Sequence, residues 1–392
     1  MKNFLQLIKR EFGLFWANSV LRMIFIGAPV AYGVLFGFVY QKGKVTDLNI
    51  IVVDEDNTTM SHRLIDMLND TETLHVIEIK ADNFNLKDDL IRYDGQAVVY
   101  IPRKFAADIY QSKSPEVNVY INIANVLTAN FASRTIQVVL ASLNAGMEME
   151  ALNKKGTPSV AVFDKFQAFN ANYIRLYNRS SNYMSFLWPG MLATIVQQVI
   201  LLALALSFAS EFEKGTFNST FLPRVKSPID AILVKCVPFW LMTCGIWLFF
   251  IGLQYFFRVP LAAHNVIANL VLAALFIVAV SFMGILVSIL IPSQLKATEI
   301  LMVVATPSFV ISGFTWPLSQ MPLWVAYLAK MIPLTHFLEG YRILLMQNGD
   351  LHHIRPQLFG LVISCLIYGL LCLIALYYKM KKAVSIGSAD TN

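Results

Sequence analysis

Charge is scarce in this sequence. Asp, Glu, Lys and Arg make up 14% of its 392 residues and the apolar and aromatic types 56%, where soluble domains run near 25% and 45 to 50%. A chain this poor in charge has no polar coat for a water-soluble fold, so it is read as mostly membrane-embedded. Cysteine is absent from the polar part of the chain: Cys236, Cys244, Cys365 and Cys372 all lie in apolar runs, and neither a disulfide framework nor a Cys-based metal site is indicated. The motifs of common enzymes are missing too. There is no G-x-x-x-x-G-K-[ST] phosphate loop, no H-E-x-x-H and no G-x-S-x-G elbow, which leaves no catalytic constellation and no ATP site of the phosphate-loop type. His336 and the pair His352 and His353 have no further His or Cys at ligand spacing, so no metal is expected.

The charge that is present is unevenly spread. Residues 41–180 hold 15 Lys+Arg and 17 Asp+Glu, while the remaining 252 residues hold 16 and 8. A near-neutral polar domain is thus set into a basic, charge-poor remainder. Basic residues beside apolar runs mark the flanks of membrane spans, and no nucleic-acid partner is expected.

A span needs about 20 apolar residues to cross roughly 30 Å of hydrocarbon. Six stretches qualify: 19–40, 183–209, 236–257, 265–291, 298–316 and 357–378. Arg22 and Glu299 fall near the edges of the first and fifth, where a charged head group reaches the interface. Residues 4–15, interrupted by Gln6, Lys9, Arg10 and Glu11, read as a cytoplasmic amphipathic helix at 1–18 rather than a cleavable signal peptide. With the N-terminus inside, the inner flanks and loops carry eleven basic residues, Lys235 among them, against four in the outer short loops. That asymmetry predicts cytoplasmic N- and C-termini and an external domain at 41–180.

Within 41–180 short β-rich runs alternate with helical ones. Strands are expected at 48–53, 75–79, 96–101 and 117–123, and helices at 61–69 with Ser61 as N-cap, 86–92, 105–110 and 125–153, an α/β arrangement. Asp54, Glu55 and Asp56 form the densest acidic cluster, read as a solvated turn with a divalent-ion site as the alternative. Phe163, Phe166, Phe169, Tyr173 and Tyr177 recur at three- and four-residue spacing and suit an aromatic belt, packing against the domain, or a substrate entrance. Between the last two spans, Pro317, Pro322 and Pro333 divide residues 317–356 into short helices, read as a re-entrant or interfacial hairpin.

The connection after the second span is the most informative stretch. A charged helix end with Glu211 and Glu213 stops at Gly215, an amphipathic piece with Phe217, Phe221 and Leu222 follows, and Ser227-Pro228 starts the next helix. Docking into a partner's groove and a plain polar turn are both compatible with it. Glu339 and Arg342, three apart, face one another on a helix either as functional charges or as an interfacial ion pair. Gln197, Gln198, Thr306 and Ser308 are polar residues within spans, suited to lining a pathway or to hydrogen bonds between helices.

Glu213-x-Gly215-Thr216, then Ser312-Gly313-Phe314 with Pro317, Met321-Pro322, and Ile332-Pro333-Leu334-Thr335-His336-Phe337 with Gly340, Arg342 and Gly349 together resemble the permease subunits of type-2 ABC exporters. The likeness is to the multidrug-export subgroup with a large extracytoplasmic domain, and it covers essentially the whole chain. In one departure the expected Ser-Pro comes late, at Ser227-Pro228. The resemblance implies a permease subunit, not an enzyme, of the bacterial inner membrane. It would move an amphiphilic compound, drug-like or lipid-like, as a homodimer or heterodimer. ATP and Mg would be held by a separate ABC ATPase, with a periplasmic adaptor as a further partner and lipids around the spans. It also implies that Glu211, Glu213, Gly215, Thr216 and Pro228 belong to an ATPase-coupling loop. The alternative is a membrane-anchored signalling or mechanotransmission protein coupled to an ATPase.

Overall fold

The computed structural model describes residues 2–82, 85–111, 113–154, 176–178, 181–259 and 265–389. The chain divides into two compact units, Lys44–Ile174 and the remainder. Phe163, Phe166, Phe169 and Tyr173 lie outside the described residues.

The smaller unit contains β1 (Leu48–Asp54), β2 (Leu74–Lys80), β3 (Ala97–Ile101) and β4 (Asn118–Ile121). They form one sheet in the order β2-β1-β3-β4, with β1 parallel to β2 and β3, and β4 antiparallel to β3. β1 is covered on both faces, which explains its unbroken apolar run. Ile50 and Val52 pack with Leu64 and Leu68 of a helix at Thr59–Asn69 and with Ala132, Ile136 and Val139 of a long helix at Val126–Lys154. Ile51 and Val53 face Leu86 and Leu90 of a helix at Leu86–Arg92. The N-cap of the first of these helices is Thr58, not Ser61. Ser61 is the third residue of a reciprocal capping box, in which Thr58 N donates to Ser61 Oγ at 2.9 Å and Ser61 N to Thr58 Oγ1 at 3.3 Å. The acidic turn is occupied from within: Asp54 Oδ1 accepts from Asp56 N and Asn57 N, each at 3.0 Å, and Asp56 Oδ2 accepts from Ala106 N at 3.0 Å.

The larger unit is helical. α1 (Lys2–Ala17) buries Leu7, Glu11 and Phe15, four apart on one face. The next apolar run, 19–39, is continuous but passes through a π-turn at Met23–Gly27. Pro29 there has no N–H for the Phe25 carbonyl, and the turn widens so that Ala28 N reaches Met23 O. α2 (Tyr183–Glu213), α3 (Pro228–Phe256), α4 (Val266–Leu290), α5 (Gln294–Ile311), α6 (Leu323–Met331), α7 (Pro333–Met346) and α8 (Arg355–Ala389) follow.

Among the described residues seven helices are long and apolar enough to cross a membrane. Six are in the helical unit, and the seventh is 126–151 of the sheet unit, whose apolar stripe covers the sheet. α3 begins at Pro228, as the Ser227-Pro228 pair predicts, with Ser227 Oγ accepting from Asp230 N at 3.2 Å, and Lys235, counted with the inner flanks and loops, lies inside the helix. One span boundary differs from expectation. α5 stops at Ile311 because Gly313 takes a left-handed φ of 82°, leaving 312–316 as a turn.

Candidate functional site

Four charged side chains meet where α1, α2 and α3 converge. Arg10 forks onto Glu211, Nη1 donating to Oε1 at 2.7 Å and Nη2 to Oε2 at 3.1 Å, and Nη1 also reaches Glu11 Oε1 at 3.1 Å. Lys235 Nζ donates to Glu11 Oε1 and Glu211 Oε1, both at 2.9 Å, and the Thr216 hydroxyl donates to Glu211 Oε2. Lys235 is 1% exposed and Glu211 2%. Two acids and two bases neutralise one another, and planar bidentate pairing of this kind is the geometry in which buried charge is tolerated. Burial opposes the Arg10 charge, but its hydrogen bond to Glu211 and the two nearby carboxylates outweigh that and raise its pKa.

Thr216 ties the loop into this cluster, and a left-handed residue brings it there. Gly215 has φ of 67° with open space around its Cβ direction, so backbone conformation rather than crowding calls for glycine. After it a π-turn at Phe217–Phe221 and a 3₁₀ turn at Leu222–Arg224 carry the chain to Pro228. The rings of Phe217 and Phe221 are buried beside Phe208, and Lys235 Nζ lies 4.8 Å from the Phe221 centroid. The loop thus turns an aromatic side inward and leaves Lys214, Asn218, Pro223 and Arg224 exposed. Exposed Glu213 has a different partner: its Oε2 accepts from Gln294 N at 3.0 Å and Nε2 at 2.9 Å, in the first turn of α5.

Arg342 at the hairpin is held by backbone. Its Nη2 donates to Gly313 O at 3.3 Å and Phe314 O at 2.5 Å, and its guanidinium lies 4.6 Å from the Phe314 ring centroid. Glu339 is exposed and, with Arg342 and Pro317, lines a cavity of about 280 Å³. The carbonyls ending α6 are each taken up by a side chain: Ala329 O by Thr335 Oγ1 at 2.7 Å, Lys330 O by His336 Nε2 at 2.8 Å and Met331 O by Tyr368 OH at 2.8 Å. Pro322 precedes α6 and Pro333 opens α7. Among the described residues no three His, Cys, Asp or Glu side chains converge as a metal site.

The polar residues of the spans separate into two groups. Gln197 and Ser308 are buried and bond to one another, Gln197 Nε2 donating to Ser308 Oγ at 2.9 Å, which fastens α2 to α5. Gln198 lines a cleft of about 300 Å³ beside Tyr32 and Phe309, and Thr306 is exposed on α5.

Arg10, Glu11 and Lys235 were not singled out as site residues on the sequence, although a signal existed. Glu11 interrupts the apolar stripe of Leu7 and Phe15, and Lys235 sits among Ile232, Val234 and Cys236. A charge on a buried face requires an opposite charge from elsewhere.

Among the described residues, six helices of the helical unit are long and apolar enough to cross a membrane. The sequence matches the profile of the ABC-2 family transporter protein over residues 19–377, and the chain belongs to that family. It is similar to the probable multidrug ABC transporter permease YbhR of Escherichia coli, 21% identical over 368 residues that cover 91% of this chain and 93% of that protein. It is also similar to the Escherichia coli inner membrane transport permease YhhJ, 22% identical over 353 residues, 84% and 87% of the two chains. ABC transporter G family member 20 of Dictyostelium discoideum is 25% identical over 194 residues, 49% of this chain and 26% of that one. The chain is therefore a membrane-spanning ABC-2 transport permease.

Proposed function

We propose that this chain is the permease subunit of an ATP-driven exporter that moves an amphiphilic compound out of the cytoplasm or inner membrane. Two permease chains pair, separate ABC ATPase subunits bind ATP and Mg, and a periplasmic adaptor receives the compound. Both termini are cytoplasmic, six spans cross the bilayer, the domain at 41–180 is external, and residues 317–356 form a re-entrant hairpin. The names of the multidrug permease relatives support the substrate class.

The observation that carries the coupling role is the buried cluster of Arg10, Glu11, Glu211 and Lys235, with Thr216 bound to it. Displacing α1 or the inner end of α2 or α3 alone would separate buried charges at a cost of several kcal/mol, and the Thr216 hydroxyl ties the loop to Glu211, so α1, the loop and the inner ends of α2 and α3 move as one body. Glu213 passes that motion to α5 through Gln294. The exposed face of α5, with Met302, Val303, Thr306 and Val310, then responds at the pathway between the two permeases. The bias comes from the different affinities of the ATPases for the two arrangements.

Reconstitution in vesicles with the partner ATPase tests this. ATP should drive loss of a multidrug-type compound from the ATP-facing side. Glu213→Ala should abolish export and the coupled stimulation of ATPase activity while insertion and assembly persist. Full export by that variant would overturn the coupling role.

A further inference from the structure

A cavity of about 310 Å³ opens where α1, the turn at Leu222–Arg224 and the first two turns of α3 meet. Its floor is apolar: Phe4 and Leu7 of α1, Val225, and Leu233 and Val234 of α3. Leu7 and Val234 are buried, and the other three are half-buried. Exposed Arg224 and Lys226 line it above that floor, together with half-buried Asp230. None of these residues belongs to the charge cluster of Arg10, Glu11, Glu211 and Lys235.

Arg224, Lys226 and Asp230 share this cavity, yet among the described residues none of the three has an ion-pair partner, so the lining keeps one net positive charge. Position supplies the second argument. α3 is long and apolar enough to cross a membrane, and the cavity lies at its first two turns, the level at which a span meets head groups. Leu5 and Ile229, each next in sequence to a lining residue or one removed from it, are 61% and 56% exposed, so apolar surface continues outward from the cavity. A basic pocket at the end of a span suits an anionic lipid head group, because Arg and Lys take phosphate oxygens while the apolar floor takes the start of an acyl chain. A free anion would leave that floor uncovered, and a zwitterionic lipid would leave the net charge unbalanced. Asp230 adds a condition. Its carboxylate only accepts, so it calls for a hydroxyl donor on the same head group.

We propose that this cavity binds an anionic phospholipid whose head group carries hydroxyls, phosphatidylglycerol being the simplest of the class. The phosphate lies against Arg224 and Lys226, a head-group hydroxyl donates to Asp230, and an acyl chain covers Phe4, Leu7 and Leu233. One lipid thus joins α1 to the start of α3. The proposal rests on α3 being a span and uses no part of the coupling mechanism.

The test uses the full chain in phosphatidylcholine nanodiscs doped with one of three lipids that carry a diazirine in an acyl chain: phosphatidylglycerol, phosphatidylethanol, which has the same charge but no hydroxyl, and phosphatidylcholine. Phosphatidylglycerol should label the peptides containing Leu7 and Leu233 about fivefold more than phosphatidylcholine, the effect of one unbalanced basic charge at a membrane surface, and more than phosphatidylethanol. Arg224→Gln with Lys226→Gln, both at exposed positions, should erase the preference for charge. Asp230→Ala should erase the preference between the two anionic lipids while raising the labelling by phosphatidylethanol. Leu233→Trp, which fills the space, should block all three. Equal labelling by phosphatidylglycerol and either other lipid, or a preference unchanged in the double variant, would overturn the site. Excess inorganic phosphate should leave the label in place; displacement would make this a free-anion site and overturn the lipid. If the double variant loses ATPase binding while its labelling stays as in the parent chain, the two basic residues serve an acidic stretch of that partner and the proposal falls. The labelling needs no ATPase, so its failure leaves the export reading standing, and lost export with labelling intact does the reverse.

Discussion

At the loop end of the helical unit, Arg10, Glu11, Glu211 and Lys235 are buried against one another, drawn from three helices. At the hairpin end, Arg342 leans on the Gly313 and Phe314 carbonyls and on a ring. The first arrangement is all or nothing, because losing one charge strands another. The second is a cap, in which one side chain of α7 holds the turn after α5. Buried mutual pairing makes three helix ends into one rigid piece, whereas carbonyl capping shapes one turn and leaves Glu339 exposed beside it.

Breaking the first end should cost most. Lys235→Met leaves two carboxylates to one guanidinium, and about 3–5 kcal/mol of stability should be lost, read as a large fall in detergent melting temperature. Adding Glu11→Met restores neutrality and should recover most of it; no recovery would mean that the four groups are not one cluster. Arg342→Ala should cost about 1–3 kcal/mol by leaving carbonyls without a donor, with faster hydrogen exchange confined to residues 311–317. Exchange spreading to α1 would erase the contrast between the ends. Gly215→Ala places a side chain at a left-handed φ and should cost about 1–2 kcal/mol, with export falling further than melting temperature. The sheet unit supplies the reference. Thr58→Ala, which removes a cap, should cost about 1 kcal/mol and leave export unchanged. Smallest of all, Lys44→Ala breaks an exposed pair with Glu72 and should stay within about 0.5 kcal/mol.

Much of this architecture was legible beforehand. Apolar runs of span length are written along the chain, and so are the strands of the sheet unit, because β1 covered on both faces must be continuously apolar. Pro322 and Pro333 mark the short hairpin helices for a local reason, the missing N–H. What escaped was pairing at a distance. Lys235 was counted among loop charges, yet it is buried 224 positions from Glu11. For Gln197 and Ser308 a hydrogen bond between helices is one of the two readings of the sequence, but nothing in it says that they bond to each other across 111 positions. Spacing places Glu339 beside Arg342, and both line one cavity, but it does not predict the bond from Arg342 to Phe314 O 28 positions away.

Composition, hydropathy and motif order therefore determined that this is a membrane permease with an inserted α/β unit and a glycine-stopped loop, because each depends on residues near one another in the chain. Only tertiary structure decided which charges neutralise which and which polar side chains bind helices together. Those outcomes depend on helices distant in sequence converging, since a buried charge or indole N–H is satisfied by whatever packing brings within about 3 Å of it.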